Sequence, residues 1–259
     1  MSSSVLDRDL ADGVLTLTLN RPEQRNAIGP ELRAALAARL DEAATDAEVR
    51  AVVVTGAQQT FCAGADVGHL GELRDARTYR WLSHRLSAMI DALERLEKPT
   101  IALVDGVAAG AGVALALACD WRIGTDRTRL LYREGRLGLL PTHGGCARLV
   151  KLVGLARAQE AILGGDDLDA AAGYRLGLLS EIAPGDGATA AHERAVKMLR
   201  RAPLSYGFAK RVLQLAADTD VRSGMLAESL AQGALVLSED HLEGLAAVDE
   251  RRDPVFTGR

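Results

Sequence analysis

Two glycine-rich segments carry the spacing that suggests chemistry: Phe61-Cys62-Ala63-Gly64-Ala65-Asp66, and Gly106 to Gly112 with Gly110-Ala111-Gly112 at its end. Each follows a short aliphatic run. If those runs are strands of a parallel sheet, both segments open at its carboxyl edge, where α/β folds bind ligands. The second segment also leads straight into an Ala/Leu stretch of helical type. The first N–H groups of such a helix lack intrahelical partners and carry the positive end of its dipole, so they can stabilise a negative oxygen as it develops. Either segment alone would be no more than a tight turn that lets a helix pack on a strand. His69 and His143 lie beside these segments, whereas His84, His192 and His241 are scattered and form no HExxH or HxxEH pair.

Two further patterns imitate a nicotinamide enzyme. Val52-Val53-Val54-Thr55-Gly56-Ala57 has the form of a strand and turn that open a dinucleotide fold, and Tyr206 to Lys210 has YxxxK spacing. Gln58, Gln59, Thr60 and Cys62 stand where more glycines would admit a pyrophosphate, and Leu115 occupies the third small position after Gly110 and Gly112. The phosphate cradle is missing.

The elements that must position these segments follow from periodicity. Val14 to Leu19 alternates apolar residues with Thr, which predicts a half-exposed strand ended by Asn20-Arg21-Pro22. Leu32, Leu36 and Leu40 repeat at helical spacing after Pro30, giving a helix from Glu31 to Ala44. Ala51 to Thr55 and Thr100 to Asp105 read as buried strands, with a long amphipathic helix from Thr78 to Leu96 between them and a helix from Ala111 to Ala118 after them. This alternation predicts crossovers onto a parallel sheet. Beyond about Gly185 the pattern is helical only: Ala190 to Arg200, Leu204 to Ala216, Arg222 to Leu237 and Glu239 to Arg252, with Pro203 and Gly224 as punctuation. The expected organisation is an α/β core over residues 1–185 and a helical region over 186–259.

Composition narrows the function classes. The chain of 259 residues is 48% hydrophobic and 25% charged with a net charge of -4, enough for a large core and without a basic stripe for nucleic acid. Cys62, Cys119 and Cys146 are an odd set without CxxC spacing, which fits reduced thiols in a cytoplasmic protein and neither disulfides nor a metal site. Only 3% of residues are aromatic while 26 are Gly, so apolar volume comes from Ala, Leu and Val. Ile101 to Cys119 approaches the length of a membrane span, but Asp105 and the glycines at 106, 110 and 112 divide it into strand, loop and helix. No secretory signal is visible at the N-terminus, and no membrane association is expected.

The motifs in register resemble the crotonase (enoyl-CoA hydratase/isomerase) superfamily. They are Asn20-Arg21-Pro22-Glu23, Asn26-Ala27, the segment 61–66, Lys98 to Ala102, Asp105-Gly106, Gly110-Ala111-Gly112, Cys119-Asp120, Gly138 to Pro141, Gly144-Gly145, Arg148-Leu149 and the tail Pro254 to Arg259. The resemblance implies an α/β spiral of ββα units with a C-terminal helical trimerisation region, a homotrimer or hexamer, and an acyl-CoA thioester as substrate. No cofactor beyond that coenzyme A and no metal is implied. The two donors of an oxyanion hole map to the amides of Ala65 and Ala111. The substrate's CoA portion maps to Ala63, Gly64, Asp66, Gly110 and Ala27, with Arg25 and Arg21 as cations for its phosphates. Thr142 and His143 fall beside the acyl channel, as does the stretch from His69 to Arg77.

One departure bears on the reaction. Hydratases of this family carry two glutamates; here the first position is Ala114 and the second is Glu134. Water addition is easiest with two carboxylates, whereas one suffices to take a proton from C2 and return it at C4. Glu134 is therefore expected to be the single acid/base, with its pKa tuned by Leu139 and Leu140, and double-bond isomerisation is favoured slightly over hydration. The alternatives are an enoyl-CoA hydratase and a family member that binds acyl-CoA without turnover.

Overall fold

The computed structural model describes residues 4–66, 68 and 75–259. Its strands are β1 (Leu6–Ala11), β2 (Val14–Leu19), β3 (Ala51–Gly56), β4 (Thr60–Cys62), β5 (Thr100–Val104), β6 (Val107–Ala109), β7 (Trp121–Gly124), β8 (Arg129–Leu131), β9 (Leu168–Asp169) and β10 (Glu181–Ile182). The helices are α1 (Pro30–Thr45), α2 (Ala76–Arg95), α3 (Ala111–Leu117), α4 (Gly145–Leu163), α5 (Ala170–Arg175), α6 (Ala188–Met198), α7 (Pro203–Ala216), α8 (Val221–Leu235) and α9 (Glu239–Glu250).

The strands form two sheets, a six-stranded one in the order β1-β2-β3-β5-β7-β10 and a four-stranded one in the order β4-β6-β8-β9. Apart from the antiparallel pairs β1/β2 and β8/β9, neighbours run parallel. The pairs β3/β4, β5/β6 and β7/β8 each give one strand to the large sheet and the next to the small sheet before a helix returns the chain. That is the strand-strand-helix spiral expected.

The periodicity reading found β2, β3 and β5 but only one strand per unit. The second strands β4, β6 and β8 are three residues each, too short to show alternation. This corrects the position of the glycine segments, which belong to the ends of adjacent strands in the small sheet, where Thr60 pairs with Val107 and Cys62 with Ala108. Strand β2 is also more buried than a half-exposed strand, because β1 and β3 flank it and α1 covers it; its four apolar residues are all buried.

The main core lies between the large sheet, α1, α2 and α3, with Leu32, Leu36, Ile90, Leu93 and Leu115 fully enclosed. Helix α2 starts where Asp75 accepts a hydrogen bond from the Thr78 amide at 2.8 Å. Helix α6 packs on β2, β3 and β5 through Ala191 and Ala195, forming a second core on the other face of the large sheet. Gly224 lies inside α8 and does not punctuate it: a Cβ there would stand 3.7 Å from that of Ala216 on α7, so the small residue lets the helices approach.

The Tyr206 and Lys210 pair is structural. The Tyr206 hydroxyl and Lys210 Nζ both donate to Asp120 Oδ2, at 3.2 and 3.0 Å, and Asp120 also accepts from the Thr100 amide, fastening α7 to the sheet. The C-terminal tail is pinned similarly, since the buried carboxylate of Asp240 accepts from the amides of Thr257 and Gly258 at 2.7 and 2.9 Å. Among the described residues no helix is long and apolar enough to cross a membrane.

Candidate active site

A cavity of about 180 Å³ opens where β4 and β6 end, lined by Ala63, Gly64, Ala65, Asp66, Ala109, Gly110, Ala111 and Glu134. Helix α2 contributes Tyr79, Leu82, Ser83 and Leu86, α1 contributes Arg33, and Leu137, Leu139, Leu140, Thr142 and His143 close the far side.

Backbone geometry builds one wall. The Ile28 amide donates to the Gly64 carbonyl at 2.7 Å and the Asp66 amide to the Ile28 carbonyl at 3.3 Å, which leaves the Ala65 amide between them without an acceptor among the described residues. Ala111 is the first residue of α3, and its amide likewise has no acceptor there. Gly64 brings these segments together: its φ is +97°, and a Cβ on it would stand 2.7 Å from the Ala109 carbonyl oxygen and 3.3 Å from the Ala111 nitrogen. Gly110, with φ 52° and ψ -119°, adopts a conformation closed to L side chains and turns the chain from β6 into α3. Two residues whose N–H groups have no acceptor among the described residues thus line one cavity, the arrangement that stabilises a developing oxyanion.

The buried Asn26 holds the approach to this wall. Its Nδ2 donates to the carbonyls of Ala57 and Thr60 at 3.0 and 2.6 Å, while its Oδ1 accepts from the Arg21 amide at 2.9 Å. The Arg25 carbonyl accepts from the Ala63 amide at 3.0 Å, but the Arg25 side chain is exposed and neither it nor Ala27 lines the cavity. Arg21 is engaged with Asp66 at 3.2 Å and with the Ala27 carbonyl at 2.6 Å.

Side chains build the opposite wall. Glu134 opens a short 3-10 turn after β8, and its Oε1 lies 3.3 Å from the position of a Cβ on Gly110. Its Oε2 is buried without a hydrogen-bond partner among the described residues. Burial raises the Glu134 pKa above the ordinary carboxylate value, against the opposing pull of the backbone amides of Glu134 and Arg133. Neither neighbouring arginine pairs with it among the described residues, since Arg133 is bound to Asp167.

His143 meets Ser87 of α2 through Nδ1 at 3.0 Å, and burial lowers its pKa, so the ring is neutral at neutral pH. It caps no helix; Gly144 holds the cap position of α4. Beneath that loop Arg148 is buried, donating to Glu94 at 2.7 and 2.8 Å, to Asp91 at 2.7 Å and to the His143 carbonyl at 2.7 Å.

Ala114 is fully buried in α3 and does not line the cavity. Cys62 and Cys119 are enclosed thiols pushed up to about 12 by burial, which removes them as nucleophiles. His69 and the stretch through residue 74 lie outside the described residues. The α2 face was missed as part of the site, although Tyr79, Leu82, Ser83 and Leu86 carry the i, i+3, i+4, i+7 signal of a single helix face.

Comparison with known proteins shows what the chain as a whole is similar to. The family model for enoyl-CoA hydratase/isomerase matches residues 9–259. The chain is 36% identical over 260 residues to 2,3-dehydroadipyl-CoA hydratase of Escherichia coli K12, covering 100% of both chains. It is 34% identical to enoyl-CoA isomerase/hydratase fer4 of Mycosarcoma maydis, over 95% of this chain and 93% of that one. Among solved structures, an enoyl-CoA hydratase from Bacillus anthracis superposes with a TM-score of 0.94 at 31% identity, covering 98% of this chain and 100% of that chain.

Proposed function

The chain belongs to the enoyl-CoA hydratase/isomerase family, and from that premise we propose that it moves a carbon–carbon double bond within an acyl-CoA thioester, with Glu134 as its single acid/base. The observation that carries this reading is the carboxylate inventory of the cavity. Among its described lining residues Glu134 and Asp66 are the carboxylates, Asp66 is held by Arg21, and residue 114 is a buried alanine.

In this mechanism the thioester oxygen sits between the amides of Ala65 and Ala111. Glu134 removes a proton from C2 of a 3-enoyl ester, and the electron pair moves through C1 onto the oxygen as an enolate. Two preorganised donors stabilise that charge by several kcal/mol. The enolate collapses, the double bond forms between C2 and C3, and Glu134 returns the proton to C4. The raised pKa of Glu134 suits it to both transfers. No cofactor is required beyond the CoA that the substrate carries.

Hydration is the second reading, favoured by the names of the relatives and by Thr142 and His143, polar groups in the lining that can hold a water. Offering the purified protein 2-enoyl and 3-enoyl esters and following water addition and bond migration separately decides between them. Glu134→Gln should lower whichever activity is present by about a hundredfold or more; an unchanged rate would sink the assignment. In Ala114→Glu, a gain of hydration would place residue 114 opposite Glu134 across the substrate; no gain is expected while the residue stays buried in α3 and off the cavity lining.

The reading also includes a homotrimer or hexamer, supported by the exposure of Leu213, Leu226, Leu230 and Leu237 on α7, α8 and the turn after it. Light scattering that returned a monomer would remove it.

A further inference from the structure

Two buried polar atoms beside the cavity lack hydrogen-bond partners among the described residues: Oε2 of Glu134 and the hydroxyl of Tyr132. Tyr132 follows β8 directly, is only 5% exposed and does not line the cavity, so the phenol meets no substrate. Leaving both groups unsatisfied in a low-dielectric interior is costly, and orphaned buried polar groups are rare for that reason. Their chemistry is complementary, since a phenol has one O–H to donate and an ionised carboxylate only accepts. Neither is a hydrogen-bond partner of the other, so an intermediary with several polar partners would satisfy both. Cys146 of α4 supplies a third group, its thiol donating to the Pro141 carbonyl at 3.1 Å and leaving the sulfur as a weak acceptor.

We propose that Tyr132 is a positioning residue for Glu134, donating a hydrogen bond to Oε2 through one buried water and so holding Oε1 against Gly110, toward the substrate carbon. The inference rests on the reading of Glu134 as the base. The electrostatics agree with this placement: the charge of Glu134 adds to burial in pushing the Tyr132 phenol upward, and it adds to burial again in raising Cys146. The other charged or titratable groups around Glu134 are engaged elsewhere or lie across the cavity. Arg133 is bound to Asp167, Asp66 to Arg21 and His143 to Ser87, while Arg136 is exposed on the same turn and Arg33 reaches the cavity from α1.

Tyr132→Phe preserves the ring and removes only the donor. Because that donor favours the ionised carboxylate, its loss should move the acid limb of kcat/KM to higher pH by about one unit, a tenfold loss below the limb. The plateau kcat should change much less and KM should not change. Infrared titration of the Glu134 carboxyl, isolated by subtracting the spectrum of Glu134→Gln in substrate-free protein, should show the same shift. A carboxyl titration that coincides in Tyr132→Phe and the unaltered protein overturns the proposal. Full activity in Glu134→Gln would overturn the base assignment instead, and the infrared titration would still read the Tyr132 contact.

Discussion

The two walls of the cavity are made of different materials. The wall at Ala65 and Ala111 is main chain: its donors are peptide N–H groups, and its precision comes from glycines that let two segments touch. The wall at Glu134 is side chain, standing on a turn that ends at Leu137 and is followed by Leu139 and Leu140, three of the protein's exposed large apolar residues. The first wall is fixed by the fold itself, because moving an amide means moving β4, β6 or α3. The second depends on one carboxylate and its surroundings, so its chemistry can be retuned by substitutions that leave the fold intact.

The largest effect that would test this contrast comes from the main-chain wall. Gly110→Ala forces an L side chain into a glycine conformation and should displace the Ala111 amide, lowering kcat by about a hundredfold to a thousandfold. It should also destabilise the protein by about 1–3 kcal/mol, read as a lowered Tm. Glu134→Gln, by comparison, should leave the Tm and CoA-ester binding nearly unchanged; a variant that unfolded would erase the distinction between the walls.

A smaller effect concerns pH. A base must be ionised to act, and the folded pKa of Glu134 is raised above its ordinary 4.5 by burial. Activity should therefore be full at pH values above that raised pKa and fall about tenfold per unit below it. A kcat/KM profile with its acid limb at or below 4.5 would show that the side-chain wall is wetter than its geometry implies. The smallest effect is expected outside both walls: Arg25→Ala should raise KM for a CoA ester a few-fold and leave kcat unchanged, as for an exposed cation on a screened phosphate.

How much of this was legible follows from the length over which each signal is written. Helices α1 and α2 and strands β3 and β5 announce themselves through runs long enough to show a period. Strands β4, β6 and β8 do not, because three residues hold little alternation and their pairing partners lie far away in sequence. The main-chain wall was legible only through the order and spacing of its glycines, since alanine at 65 and 111 carries no chemical signature. Glu134 was legible through its place in the order of the family's motifs, whereas nothing in the sequence singles out Tyr132 or Cys146 beside it. Arg21 illustrates a further limit: its partner Asp66 is 45 residues away, so the pairing that occupies it is set by tertiary structure.

The Ala65 and Ala111 donors have a consequence for genetics. A survey that replaces residues by alanine one at a time makes no change at either position, and most other side chains placed there would keep the peptide N–H. The groups proposed to hold the enolate are therefore silent in such a survey, which would credit catalysis to Glu134 and to neighbouring glycines alone. Their contribution becomes visible by chemical synthesis, in which an ester replaces the amide at residue 65 or 111 and deletes a single hydrogen-bond donor without altering a side chain.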